Sequence, residues 1–352
     1  MKHSHPLEIA ATGLVTSVGL SNGTACAALH CRLNHFDETV FTDLQDEPLI
    51  GAAVPWPEAA SGIKKLARMA LSSVMQALAE VDGVSLATLP SIPVILCIAE
   101  TARAGRVPEL DEKLFDAFAA QFGHALHADS GVMPAGQCAV AYALNHARHL
   151  LYQKNHRMVL IVAADSLLNR ATIEENLAQG RLLASDVPSG FIPGEAAGAM
   201  LVRRPDPREE IQMLVLGLGA ARESATLFDD VPMCGAGLSL AVNKAFADIG
   251  GKPPELELCI ADVSGEGFYF EELALVRQRC GLAGDLWLPA ESVGETGSVI
   301  GVIQLAWLLE ARCKGNVMGD PSVLLQGNDS GQRSAIVVGF EYSAAYRASG
   351  QA

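Results

Sequence analysis

Short, largely apolar runs alternate along the chain with longer stretches in which apolar residues recur every three or four positions. A short apolar run bounded by turn residues reads as a buried strand, and the longer period reads as a helix with one core-facing stripe. On this pattern strands are predicted at Glu8–Thr12, Pro93–Ala99 and Met158–Ala164, with helices over about Ile63–Val81 and Gln137–Gln153. That order predicts an α/β fold. After Pro205 and Pro207 the pattern starts again, with strands at Met213–Leu218 and Leu256–Val263 and helices at Leu238–Ile249 and about Thr296–Cys313. In each half the last helix precedes two strands, Met158–Ala164 and Ala197–Val202 in the first, Val323–Gln326 and Ser334–Phe340 in the second. The chain therefore reads as an internal duplication, 1–205 and 206–352, with two pseudo-twofold-related layered sheets. Linkers are expected at Ala52–Gly62 and Arg203–Glu210, where prolines and small or charged residues cluster.

Composition narrows this picture. With 352 residues, 50% of them hydrophobic and 5% aromatic, the chain has material for a large aliphatic core. No apolar run approaches the length of a membrane span, and His3, Ser4, His5 and Pro6 stand where a signal peptide would carry a basic and then an apolar segment. Eight cysteines are scattered without a Cys-x-x-Cys pair, which predicts reduced thiols in a cytoplasmic protein and neither a metal nor a redox centre. A formal charge of −15 disfavours nucleic acid, because such binding needs lysine and arginine on phosphates. No cofactor is expected.

Three segments carry a family resemblance. Ala11–Gly19, a strand end running into a glycine turn, and Gly190–Val202, a loop running into a strand, resemble the corresponding parts of β-ketoacyl synthases. Between them, Ala135–Arg148 is similar to the turn and buried helix that hold the nucleophile of that family. The resemblance implies a thiolase fold, five layers in αβαβα order. Aligned without a gap, so that Asp165 falls on the acidic residue after the strand, the nucleophile position is Gln137. A one-residue shift puts Cys138 there instead. Glutamine at this position, followed by the run Ala143–Arg148, resembles the chain-length factors of type II polyketide synthases. A cysteine at a helix start is primed for acyl transfer, because the dipole and free N–H groups favour its thiolate.

The second half departs from the family. Condensing enzymes place two imidazoles, or an imidazole and an amide, from that half around the thioester oxygen. Here all nine histidines lie at or before His156. The resemblance puts Ser264 and Glu295 at the imidazole positions and Ala290 at a lysine. The glycine-rich loop Gly327–Gln332 has no aromatic gate. Asp262, Glu266, Glu271 and Glu272 read as a solvated acidic rim, and the pairs His146/His149 and His124/His127 as ordinary surface or helix-face residues.

Two functions follow from the resemblance. One is a non-condensing partner or scaffold, similar to a chain-length factor in fatty-acid or polyketide biosynthesis, or to a thiolase-like accessory protein found beside secretion effectors. The other is an acyltransferase that uses Cys138 as nucleophile and Glu295 as base. The implied partners are a second copy or an active synthase in a dimer, together with an acyl carrier protein or a secretion-system protein. Neither nucleic acid nor a membrane is expected. The resemblance places the dimer contact on an edge strand, expected to be Met158–Ala164.

Overall fold

The structure, a computed structural model, describes residues 5–56, 61–206, 209, 211–251, 256–316 and 320–342. The sequence readings at His3, Ser4, Pro207 and parts of both expected linkers lie outside them. The first part of the chain runs β1 (Leu7–Val15), α1 (Asn22–His30), a hairpin of β2 (Asp37–Thr42) and β3 (Pro48–Gly51), α2 (Gly62–Ala79), β4 (Val94–Ile98), α3 (Leu110–Ala119) and β5 (Gly131–Pro134). It continues through α4 (Ala139–Tyr152), β6 (Met158–Ser166), α5 (Arg170–Ala178) and β7 (Glu195–Arg203). The second part runs β8 (Ile211–Arg222), α6 (Ala236–Asp248), β9 (Leu258–Ala261), α7 (Gly267–Cys280), β10 (Asp285–Trp287), α8 (Ala290–Val293), α9 (Ile300–Cys313), β11 (Ser322–Gly327) and β12 (Gln332–Tyr342).

Strand order is β10-β9-β11-β12-β8-β1-β7-β6-β4-β5, so the antiparallel pair β1–β8 joins two five-stranded runs edge to edge. Within each run, counting strands in chain order, the sequence across the sheet is 3-2-4-5-1. Strand alternation sorts side chains into layers. On β6, Val159, Ile161 and Ala163 face a central cluster that contains α4 and α9, whereas Leu160, Val162 and Ala164 face a second cluster under α2 and α3. On β12, Ile336 and Val338 join the central cluster, and Ala335 and Val337 face α6 and α7. Helix, sheet, helix, sheet, helix is the resulting order, the αβαβα sandwich of the thiolase fold.

The central helices are entered by matching turns. Gly136–Cys138 precedes α4 and Gly297–Val299 precedes α9, each a single 3₁₀ turn opened by a glycine at φ +55° that other residues rarely adopt. The helices also come close to one another: a Cβ on Gly301 of α9 would lie 2.6 Å from Cβ of Val140 on α4.

Two expectations are corrected. Met158–Ala164 is not an edge, since β6 pairs with β4 on one side and β7 on the other. A run apolar on both faces is the mark of an interior strand, whose two faces are both covered. The outer strand of that sheet is β5. Nor does Ala52–Gly62 begin as a free linker, because Ala52 N–H donates to Pro193 O at 2.8 Å and Val54 N–H to Glu195 Oε1 at 2.9 Å.

Candidate functional site

The turns opening α4 and α9 meet beneath the loop after β9, and they enclose a cavity of about 30 Å³. Gln137, Ser264 and Glu295, three residues singled out in the sequence, all line it. Gln137 Nε2 donates to Glu295 Oε1 at 3.3 Å, and the same oxygen accepts Gly297 N–H at 2.8 Å. Ser264 also hydrogen-bonds the Glu295 carboxylate. The segment within Gly190–Val202 that carries the family resemblance pins Glu295 from behind. Glu295 N–H donates to Ile192 O at 2.8 Å, and Gly194 N–H donates to Glu295 O at 2.9 Å.

Cys138 is not among the lining residues. It has no solvent-accessible surface, and its thiol donates to Gln326 O at 3.6 Å. Burial pushes the thiol up to about 12, against a smaller opposing pull from Ser334. The expectation of a thiolate favoured at a helix start is corrected on this point: Cys138 precedes α4, but desolvation outweighs what the helix end supplies.

Asp165 anchors the second central turn. Its Oδ2 accepts Arg103 Nη1 at 2.7 Å and Ser298 N–H at 2.9 Å. The expected solvated rim is largely absent. Glu266 makes a two-point pair with Arg181, both contacts at 2.8 Å, and Glu272 pairs with Arg333 at 2.9 and 3.0 Å. Asp262 accepts Gly327 N–H at 2.7 Å, and Glu271 alone of the four is exposed. Glu266 and Glu272 are inside because arginines from other elements neutralise them, a long-range pairing that local sequence does not display.

Sequence reasoning missed Glu100, Arg103, Arg181, Tyr269 and Asp329, which complete the cavity wall. Arg181 bridges Glu266 and Asp329, the latter at 2.6 and 3.1 Å, and Tyr269 donates its hydroxyl to Asp329. Burial would pull Arg181 down, but its two carboxylate partners more than reverse that and hold it charged. The only signal in the sequence was the apolar setting of Arg181 before Leu182 and Leu183, which does not identify a partner.

The lining carries five carboxylates, Glu100, Asp262, Glu266, Glu295 and Asp329, against two guanidinium groups, Arg103 and Arg181, and no histidine. Such an excess of buried acid is relieved by protonation. Burial raises Glu100 and Glu295 to about 7 and Asp262 to about 8, opposed respectively by Arg103, the Gly297 N–H and the Gly327 N–H. Three buried polar atoms here lack a protein partner: Glu100 Oε2, Arg103 Nε and Gln137 Oε1. The space is large enough for water, and two acceptors with one donor suit that guest. A thioester with its acyl chain needs far more room.

No protein-family model matches the chain, and no curated protein sequence does either. Solved structures do. A ketosynthase in complex with its chain length factor, from Xenorhabdus doucetiae, superposes with a TM-score of 0.72 at 12% identity, covering 96% of this chain and 98% of that one. The ishigamide ketosynthase/chain length factor gives 0.69 at 19%, covering 94% and 98%. A type II polyketide synthase acyl-carrier protein in complex with its ketosynthase gives 0.73 at 14%, covering 96% and 99%. The fold is thus the thiolase fold in the form that ketosynthases take. No helix among the described residues is long and apolar enough to cross a membrane.

Proposed function

We propose that this protein is a non-condensing, ketosynthase-like subunit that works beside an active synthase, in the manner of a chain length factor. The observation that carries the reading is Gln137: the side chain at the turn into the central helix that faces the cavity is an amide bonded to Glu295, and no imidazole lines that cavity. Decarboxylative condensation builds an enolate whose oxygen needs preorganised donors, and losing one such donor typically costs about a hundred- to thousand-fold. Ser264 and Glu295 line the cavity in place of imidazoles, and the space between them is too small for a thioester with its acyl chain.

A synthase partner is supported by the outer strand β5. It pairs with β4 alone among the described strands, and its central residues are Val132 and Met133. The opposite outer strand, β10, begins with the exposed Asp285, a charge that discourages pairing. Solved neighbours that are complexes of ketosynthase with chain length factor, or with acyl-carrier protein, point to the same partners. The acyltransferase reading through Cys138 is poorly supported, because the thiol is sealed and hard to ionise.

The test is incubation of the purified protein with malonyl-loaded carrier protein, alone and with a ketosynthase co-purified from the producing cell. Alone it should release no carbon dioxide above buffer and carry no acyl mass on Cys138. Carbon dioxide release by wild type that disappears in Cys138→Ser would overturn the proposal.

A further inference from the structure

At the far end of α4, a helix of fourteen residues and about 21 Å, the loop before β5 and the turn before β6 bring His127, Asp129 and His156 together. One ligand atom from each lies within 4.8 Å of the others. His156 Nε2 is 2.9 Å from Asp129 Oδ2, and the two imidazole centroids are 4.9 Å apart with perpendicular planes. We propose that His127, Asp129 and His156 form a binding site for a first-row divalent metal ion, zinc above all.

The donor chemistry fits. Two imidazoles and one carboxylate are the set that borderline divalent ions prefer, and here they come as His-x-Asp with a distant histidine, leaving further coordination positions to water. Ligand atoms bound at about 2.0–2.2 Å around a tetrahedral ion stand on the order of 3.3 Å apart, so the group needs only a small adjustment. The scaffold is held firmly. Ser130 N–H donates to His127 O at 2.9 Å, the Ser130 hydroxyl accepts Val94 N–H at 2.9 Å, and His156 N–H closes onto Leu150 O at 3.1 Å. All three ligands are half-buried, open enough for an ion to enter.

Two neighbours set the terms of binding. Lys154 bonds Asp129 Oδ1, leaving Oδ2 for the ion, so the ammonium orients the carboxylate while the metal displaces its contact with His156. Asp129 N–H donates to His127 Nδ1 at 3.0 Å, and this bond must open or the imidazole must turn when the metal is taken. That cost and the nearby ammonium both weaken the affinity. A bound ion would tie the root of β5 to the root of β6, stiffening the outer edge of the sheet. The inference does not depend on the function proposed above.

The test is titration of the full chain with Zn²⁺ by calorimetry and with Co²⁺ by visible absorption. Wild type should take up one ion through this cluster, and Zn²⁺ should raise its melting temperature. Asp129→Asn and His156→Ala should each weaken uptake by at least about tenfold and abolish the thermal shift, the scale on which altered metal ligation is felt. Circular dichroism and metal-free melting confirm that the variants fold. His146→Ala/His149→Ala removes a second close imidazole pair, whose rings lie 6.3 Å apart, and should bind as wild type does. Absence of saturable uptake by wild type, or uptake lost in the His146/His149 variant and kept in His156→Ala, would overturn the assignment.

Discussion

Glu295 is where one substitution reports most on the cavity. Its carboxyl titrates near 7 in the folded chain because burial disfavours its charged form, and near 4.5 in an open chain. Between those values the folded state holds more protons than the unfolded one, so this group lowers stability as pH rises through the window and adds no further loss above it. Glu295→Gln mimics the protonated form. The variant should match wild type near pH 4.5 and be more stable at pH 8, by at most about 3 kcal/mol, measured as the pH dependence of denaturant midpoints. A wild type that is the more stable at pH 8 would show that the charged form is the one the cavity is built for. Cys138 gives a second residue-scale prediction. Native alkylation should label the exposed Cys31, Cys234 and Cys313 and leave Cys138 unmodified until denaturant is added, as read by peptide mass spectrometry. Gln137, Ser264 and Glu295 were legible in the sequence because a family pattern marks their positions. Arg103, Arg181 and Asp329 were not, because their roles exist only as pairs formed across 62 to 148 residues of chain.

The elements were readable where their periodicity was strong. Strands β6, β7 and β12 run at most two residues beyond their predicted ends, and α2, α6 and α9 begin and end within four residues of expectation. The hairpin β2–β3, the short β5 and β10 and the four-residue α8 were missed, since segments this brief hold too few positions to define a period, and the longer helices α1, α3, α5 and α7 were missed as well. Helix α4 starts at Ala139, not at Gln137, because the left-handed Gly136 forces a 3₁₀ turn first. That turn is what aims Gln137 into the cavity and Cys138 under it. The packing of α4 on α9 yields an element-scale prediction. Gly301→Ala should destabilise the fold by about 1–3 kcal/mol in urea melts, since its methyl would overlap Val140 between two helices that both sit in the core. A neutral result would mean the helices can part without cost.

For the whole molecule, we propose a division near residue 205, between β7 and β8, with the halves 1–205 and 206–352 related by a twofold. The repeated 3-2-4-5-1 strand order and the matched glycine turns support it. The protein should travel as a dimer in sedimentation, with itself or with a synthase. Met133→Lys on the outer strand should shift it toward monomer without lowering its melting temperature by more than a few degrees. A monomeric wild type that recruits no synthase would remove the partner role.

The sequence by itself determined the alternation of strand and helix, the duplication of that order, and the lack of any histidine after His156, since these depend only on residue identity and local period. Tertiary structure decided which of two adjacent residues faces the cavity, which strand lies at the edge, and which acids are inside. Side-chain direction through a 3₁₀ turn, strand neighbours and charge pairing are all settled by chain segments far apart in sequence. Local pattern carries no trace of them until the two sheets close over α4 and α9.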